Sequence, residues 1–192
     1  MPAIATGNEV IIKNLLAAFE GESNAFAKYI AFAAKADEDG FRGAASLFRA
    51  AGRAEQIHAA NHARVIKQLG GNLRCDIHAV DAQSTLENLK TALSGEQHEI
   101  DVMYPEFIAE ATARGNALAV RTFTGAMEAE KTHARLYSEA IALLQGGQPE
   151  TWIASAREFY VCPVCGYTSE TEEEHEHCPV CNCLWEKFEI IR

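Results

Sequence analysis

The chain is short of proline and of long apolar runs. It has 192 residues but five prolines, and between Ala3 and Gln148 the only proline is Pro105. Proline is the strongest helix breaker, whereas alanine, which occurs 33 times, is the best helix former. A membrane-spanning helix needs about twenty consecutive apolar residues, and no uncharged run approaches that length. We therefore expect a mostly helical protein with no membrane span and no membrane partner.

Positive charge is also scarce, because 17 Lys and Arg face 27 Asp and Glu, which gives a net charge of −10. Nucleic acids and anionic membranes bind to basic surfaces, so neither is an expected partner. Residues 1–10 lack the basic start and apolar core of a secretory signal. Five of the six cysteines lie between Cys162 and Cys183, whereas a disulfide framework spreads its cysteines through a small secreted fold. This cluster favours metal binding in the reducing cytoplasm.

Four long segments have apolar residues at helical spacing. The predicted helices begin within residues 6–9 and end near 40, then cover about 43–69, 84–114 and 116–144. Pro105 is expected to kink the third helix. Residues 72–83 have no clear period and predict a long crossover between the second and third helices. Four helices with one long crossover predict a mainly α fold, a ferritin-like four-helix bundle.

The composition changes near the C-terminus, and this change sets the predicted domain boundaries. The bundle is expected over residues 1–147, a linker over 148–159 and a small β-rich metal domain over 160–192. Residues 162–192 hold seven acidic and two basic residues, so their net charge of −5 is half of the total. The acidic run 172–177 is expected to be a solvated loop within that domain.

The C-terminal domain contains two C-P-V-C knuckles with twelve residues between them. Their four thiols are Cys162, Cys165, Cys178 and Cys181. Two knuckles of this kind can place four thiolates tetrahedrally around one ion, and that geometry suits Zn²⁺ or iron. The flanking aromatic residues favour iron, since an apolar shell limits solvent access and tunes a redox potential. Cys183 is expected to be a spare thiol, and Cys75 is expected to have no role.

The bundle segments contain two Glu-x-x-His motifs, which place two metal donors on one helical face. Each motif follows a single glutamate by about 35 residues, so the chain consists of two similar helical hairpins. The predicted donors are Glu20, Glu55 and His58 in the first hairpin and Glu96, Glu130 and His133 in the second. This set is typical of a di-iron or di-manganese bundle site. Buried carboxylates without metal would be too costly, which argues against ordinary surface charge.

Three neighbouring side chains are interpreted separately. Glu22 is expected to point away from the site into solvent. His62 lies one turn after His58 and is expected to pack in the core or behind the ligands. Glu99 lies one turn after Glu96 and is an additional carboxylate that a minimal site does not need.

Four features of the sequence occur together: A-F-x-G-E-S around Glu20, the two Glu-x-x-His motifs, G-E-x-x-E-x-x-x-M-Y-P at residues 95–105, and the two knuckles. With these motifs the cysteine segment resembles rubredoxin, and the whole chain resembles the rubrerythrin family. The resemblance implies two non-haem irons in the bundle and one rubredoxin-type iron at the four cysteines. It also implies that Glu99 exchanges with His58 at one iron and that Tyr29 and Tyr104 lie beside the site.

The family resemblance further implies that the protein reduces hydrogen peroxide to water as a defence against oxidative stress. Electrons would arrive singly through the rubredoxin-like iron from rubredoxin or from a separate reductase fed by NAD(P)H, since the chain has no nucleotide-binding motif. The family arrangement is a head-to-tail homodimer in which the cysteine domain of one subunit faces the partner's di-iron site. A lone chain is not expected to bring its own two sites together.

Two other functions fit part of the sequence. Ferritin-like iron oxidation and storage would use the same bundle but would give no reason for the four cysteines. A zinc-ribbon interaction protein on a structural bundle would explain the cysteines but not the buried carboxylates.

Overall fold

The protein is mostly helical, as a computed structural model that describes residues 7–146, 153–171 and 176–192 shows. Its helices are α1 (Gly7–Glu38), α2 (Arg42–Gln68), α3 (Thr85–His98), α4 (Tyr104–Ala113) and α5 (Ala117–Gln145). Among the described residues, no helix combines the length and apolar character needed to cross a membrane. Asn116 caps α5 and Ser84 caps α3, each by accepting a hydrogen bond from a backbone N–H of the first turn.

The helices form two long hairpins that pack into one bundle. Helix α1 packs along α2, and helices α3 and α4 pack along α5. Residues 71–84, which connect the hairpins, contain neither helix nor strand. This arrangement confirms the predicted four-helix bundle with its long crossover.

The predicted disturbance near Pro105 takes the form of a π-helical turn. Residues Glu99–Met103 form this turn between α3 and α4, and the N–H of Tyr104 donates to the carbonyl of Glu99. Pro105 then occupies the first turn of α4, where its missing N–H breaks no helical hydrogen bond. Single π-helical turns accommodate an extra residue and often occur at functional sites.

The C-terminal domain, called the cysteine module below, contains a three-stranded antiparallel sheet with the order β2–β1–β3. Its strands are β1 (Phe159–Val161), β2 (Thr168–Ser169) and β3 (Glu189–Ile191), and a 3₁₀ turn, Trp185–Lys187, precedes β3. Residue 147 at the end of the predicted bundle, residues 148–152 of the predicted linker and residues 172–175 of the predicted acidic loop lie outside the described residues. Phe159, which the sequence assigned to the linker, is already part of the sheet.

One face of β1 completes the core of the bundle. Phe159 and Val161 are fully buried and belong to the same apolar cluster as Phe48 of α2. Arg53 of α2 binds the adjacent strand β3, because its guanidinium donates to both carboxylate oxygens of Glu189 at 2.6 and 2.8 Å. The module is therefore seated on its own bundle by apolar burial and by a bidentate ion pair.

We expect Phe159→Ala to lower the free energy of unfolding by about 3–5 kcal/mol, because it leaves a cavity where the sheet meets the bundle. The measurement is denaturant unfolding of the metal-loaded chain. Ile190→Ala is the matched control, since Ile190 lies on β3 but is 57% exposed, and it should change stability by less than about 0.5 kcal/mol. Equal losses in the two variants would contradict this account of the interface.

Candidate metal centres

Six side chains from four helices meet, buried, at the centre of the bundle. They are Glu22 from α1, Glu55 and His58 from α2, Glu96 from α3, and Glu130 and His133 from α5, each at most 1% exposed. Their donor atoms form two groups, Glu22/Glu55/His58/Glu130 and Glu55/Glu96/Glu130/His133, and the atoms within each group lie within 4.8 Å of one another. Glu55 and Glu130 belong to both groups. Two adjacent ions that share two carboxylates fit this arrangement.

The structure corrects one predicted donor, because Glu22 and not Glu20 reaches the cluster. The buried face of α1 carries Ile11, Leu15, Ala18 and Glu22, which recur at helical spacing. Glu20 lies off this face, is partly exposed and belongs to neither donor group. The expectation that Glu22 is solvated is therefore wrong, since its side chain is fully buried.

Two signals in the sequence point to the correct glutamate. In the A-F-x-G-E-S segment the glutamate of the motif is residue 22, and Glu20 occupies its variable position. Glu22 also precedes Tyr29 by seven residues, which is two helical turns and hence the same face. In the second hairpin Glu96 precedes Tyr104 by eight residues, and the π-helical turn between them accommodates the additional residue.

The remaining predicted carboxylate, Glu99, is close to the cluster but belongs to neither donor group. It is half-buried in the π-helical turn. Burial raises the pKa of Glu99 well above its usual value, and the charges of Glu22 and Glu130 raise it further. Glu99 was expected to exchange with His58 at one iron. In this structure His58, and not Glu99, completes the donor group with Glu22, Glu55 and Glu130.

The buried carboxylates and histidines of the cluster shift one another's pKa. Burial raises the pKa of both Glu55 and Glu96 well above the usual value, and the charge of Glu130 adds to the effect. Burial alone would lower the pKa of His58, but the charges of Glu130 and Glu22 outweigh it and the pKa lies well above its usual value. The carboxylates repel one another here, so they ionise together only beside positive charge.

Buried carboxylate oxygens without a hydrogen-bond donor indicate whether the cluster suits metal ions. Among the described residues, no hydrogen-bond donor reaches Oε2 of Glu22, Oε1 of Glu55 or Oε2 of Glu96, although all three atoms are buried. Buried polar atoms are nearly always satisfied, so each of these oxygens calls for a ligand. Hard carboxylate oxygens combined with imidazole nitrogens suit iron. The residues therefore fit a pair of iron ions.

Two buried tyrosines support the cluster from opposite hairpins. The Tyr29 hydroxyl of the first hairpin donates to Oε1 of Glu96 in the second at 2.7 Å. The Tyr104 hydroxyl of the second hairpin donates to Oε1 of Glu22 in the first. Both tyrosines thus lie beside the site, as the family resemblance implied. Each hairpin supplies a tyrosine to a glutamate of the other hairpin, as the internal two-fold repeat requires.

The buried side chains behind Tyr104 were not expected from the sequence. Nε2 of the buried His62 lies 3.1 Å from the Tyr104 hydroxyl, and Oγ1 of Thr122 lies 3.0 Å from Nδ1 of the same ring. His62 therefore contacts the site through a tyrosine, and its ring is not in either donor group. Thr122 carried no signal in the sequence, because a lone threonine on a helix has no recognisable motif.

The four predicted cysteines form a second donor cluster. The Sγ atoms of Cys162, Cys165, Cys178 and Cys181 all lie within 4.8 Å of one another. In each knuckle a backbone N–H bonds back to the first cysteine carbonyl, and the donors, Gly166 and Asn182, have left-handed φ values of 80° and 63°. Cys183 lies outside the group, where its thiol contacts the carbonyl of Leu184.

The four thiols also affect one another's ionisation. Hydrogen bonds from Cys162 and Cys165 lower the pKa of Cys178 to about 2, whereas the hydrogen bond with Cys162 raises the pKa of Cys165. Four neighbouring thiolates therefore require a metal ion to ionise together. The stacked rings of Trp185 and Phe188, 4.0 Å apart, cover this site as the sequence indicated.

The two centres are in direct contact within one chain. The carbonyl oxygen of Cys165 lies 2.9 Å from Nε2 of His58, and Oγ1 of Thr168 lies 3.0 Å from Nε2 of His133. The expectation that a lone chain leaves its two sites apart is wrong for this structure, because the module sits over its own bundle. Thr168 was not among the predicted site residues, since nothing in the sequence shows which bundle residues a distant strand meets.

Comparison with known proteins identifies the family. The Rubrerythrin family model matches residues 13–141. Rubrerythrin-2 of Clostridium acetobutylicum is 36% identical over 178 residues, which cover 92% of this chain and 94% of that protein. Nigerythrin of Nitratidesulfovibrio vulgaris is 38% identical over 171 residues, which cover 88% of this chain and 81% of that protein.

Solved structures confirm the ferritin-like bundle. A structure of fully reduced, all-ferrous nigerythrin covers 94% of this chain and 86% of its own, with a TM-score of 0.83 and 35% identity. A bacterioferritin from Desulfovibrio desulfuricans shares the fold, with a TM-score of 0.72, 20% identity and coverage of 78% of this chain and 90% of its own. The chain therefore belongs to the rubrerythrin family, as an oxidoreductase with a di-iron site in its bundle and a rubredoxin-like iron at its four cysteines.

Proposed function

We propose that the protein is a peroxidase that reduces hydrogen peroxide to water at the bundle centre. One observation carries the proposal: a buried two-metal donor set is in hydrogen-bond contact with a four-thiolate site that suits single-electron transfer. One peroxide takes up two electrons and two protons and yields two waters. Two ferrous ions supply these two electrons when they are bound.

The bundle residues hold and shield the site. Glu55 and Glu130 belong to both donor groups, so each would place its carboxylate between the two ions. Burial raises the pKa of Tyr29 and Tyr104 well above the usual value, so both hydroxyls keep their protons at neutral pH. The hydroxyls therefore stay hydrogen-bond donors to Glu96 and Glu22 and hold these carboxylates in one orientation.

The cysteine module would return electrons one at a time. Cys165 contributes a thiolate to the four-cysteine cluster, and its carbonyl oxygen contacts the His58 ring, so one residue bridges the two centres. The direct donor would be rubredoxin or a separate reductase fed by NAD(P)H. None of the six cysteines forms a disulfide, which supports a place in the reducing cytoplasm. A head-to-tail homodimer stays a prediction.

We expect Glu130→Ala to slow the oxidation of the ferrous protein by peroxide by about 100-fold, because the variant loses a carboxylate that belongs to both donor groups. Anaerobic stopped-flow absorbance measures this rate, and circular dichroism checks that the bundle is folded. Glu128→Ala is the matched control on α5, since Glu128 lies outside both donor groups, is only half-buried and pairs with Lys131. Unchanged rates in folded Glu130→Ala would remove the assignment of peroxide reduction to this centre.

We expect Cys181→Ala to separate electron delivery from peroxide chemistry. The variant loses one of the four iron ligands, so steady-state peroxide reduction with an external reductase should fall by about 100-fold. A single oxidation of chemically reduced bundle iron should keep its rate, because the bundle ligands are unchanged. Cys183→Ala, a neighbouring thiol outside the cluster, should behave as wild type.

Two outcomes of these experiments would favour the alternatives. Steady-state turnover that survives in Cys181→Ala would contradict delivery through the module. Oxidation of added ferrous iron with storage of many ions per chain, without peroxide turnover, would favour a ferritin-like role.

A further inference from the structure

The two histidines of the bundle centre present the same nitrogen to the carboxylates. Nδ1 of His58 lies 2.7 Å from Oε1 of Glu130, and Nδ1 of His133 lies 2.7 Å from Oε2 of the same residue. The opposite nitrogen, Nε2, points in both cases at the cysteine module. The metal-facing atom of each ring is therefore Nδ1, provided that Nε2 carries the proton.

The module determines where this proton lies on His58. The partner of His58 Nε2 is the carbonyl oxygen of Cys165 at 2.9 Å. A carbonyl oxygen can only accept a hydrogen bond, so the ring nitrogen has to donate. A neutral His58 is thus protonated on Nε2 and keeps the lone pair of Nδ1 free for a metal ion.

The proton of His133 is placed in the same way, through the hydroxyl of Thr168. Oγ1 of Thr168 lies 3.0 Å from the carbonyl oxygen of Gly166 and 3.0 Å from Nε2 of His133. Thr168 has a single hydroxyl proton, and the carbonyl can only accept it. The hydroxyl oxygen is then left to accept from His133, so this ring also carries its proton on Nε2.

Both carbonyls are held rigidly against the bundle. Gly166 has a φ of 80°, and a Cβ at this position would lie 2.3 Å from Nε2 of His58, so only glycine allows so close an approach. Thr168 is 1% exposed, pairs with Val161 across the sheet and is β-branched, which restricts its side-chain rotation. The Thr168 hydroxyl is therefore fixed between the Gly166 carbonyl and the His133 ring.

We propose that the cysteine module sets the tautomers of both bundle histidines through the consecutive carbonyls of Cys165 and Gly166, with Thr168 as the positioning residue for His133. Thr168 belongs to neither donor group. It acts by holding the His133 lone pair toward the bundle centre. The proposal rests on metal binding in the bundle but not on peroxide reduction, so its test uses a redox-inert ion.

The test is long-range ¹H–¹⁵N correlation of the histidine rings in the full chain loaded with Zn²⁺, which is diamagnetic. In the wild type we expect both rings to be protonated on Nε2 and bound through Nδ1. Protonation of His133 on Nδ1 would overturn the proposal without any variant.

The variants test Thr168 itself. Thr168→Val has nearly the same shape but no hydroxyl, so the His133 Nε2–H should lose its partner and the affinity of the bundle for Zn²⁺ should fall by about 10–100-fold. Thr168→Ser restores the hydroxyl and should return both the ring spectrum and the affinity close to wild type.

Ser169→Ala is the matched control, because Ser169 lies next on the same buried strand but its hydroxyl bonds the backbone of Thr171. This control should keep the wild-type spectrum and affinity. An equal loss in Thr168→Val and Ser169→Ala, or no rescue by serine, would show a merely structural role and overturn the proposal. Peroxide activity enters none of these measurements, so a failure here is distinct from a failure of the proposed peroxidase.

Discussion

The structure depends on the cost of burying carboxylates. Glu22, Glu55, Glu96 and Glu130 are almost completely removed from water at the centre of one bundle. Burial and mutual repulsion hold the pKa of Glu55 and Glu96 well above the usual value, so these carboxylates ionise beside the others only with added positive charge. Cations resolve this conflict, since two divalent ions supply as much positive charge as the four carboxylates carry negative charge. The stability of the bundle therefore depends on metal binding.

The two hairpins contribute equivalent side chains to the metal centre. Each hairpin provides one single glutamate and one Glu-x-x-His motif, and each sends a tyrosine to the other hairpin's single glutamate. The halves are not identical, because the π-helical turn Glu99–Met103 lengthens the second one. The turn carries Glu99 next to the ions' binding site, which gives one side of the centre a carboxylate that the other side lacks.

The local features of the sequence were enough to predict most of the site. The knuckle spacing and the two Glu-x-x-His motifs identified eight of the ten donors in the two clusters, because these ligands lie within one helical turn or one tight loop of each other. Glu96 was identified from the repeat of the two hairpins. Glu20 was mistaken for Glu22 because α1 has apolar side chains, such as Leu16 and Phe19, beside its buried face as well as on it. Apolar neighbours alone then leave the inward direction of a glutamate ambiguous by about half a turn.

The contact between the two centres could not be predicted from the same features. Cys165 lies 107 residues from His58, and Thr168 lies 35 residues from His133. Such contacts depend on where the sheet docks on the bundle, and the docking is fixed by burial of Phe159 and Val161 and by the Arg53–Glu189 pair. The four docking residues belong to no functional motif. Only the folded chain therefore shows that the cysteine module and the di-iron centre share hydrogen bonds.

An iron-edge anomalous map of crystals of the ferrous protein would test the central claim most directly. The account predicts one peak among the four cysteines and two in the bundle, about 3.5–4 Å apart, with Glu55 and Glu130 between them. Glu22 should contact one bundle peak, and Nδ1 of His58 and of His133 should face the ions. A single bundle peak, or a site that includes Glu20 in place of Glu22, would contradict it.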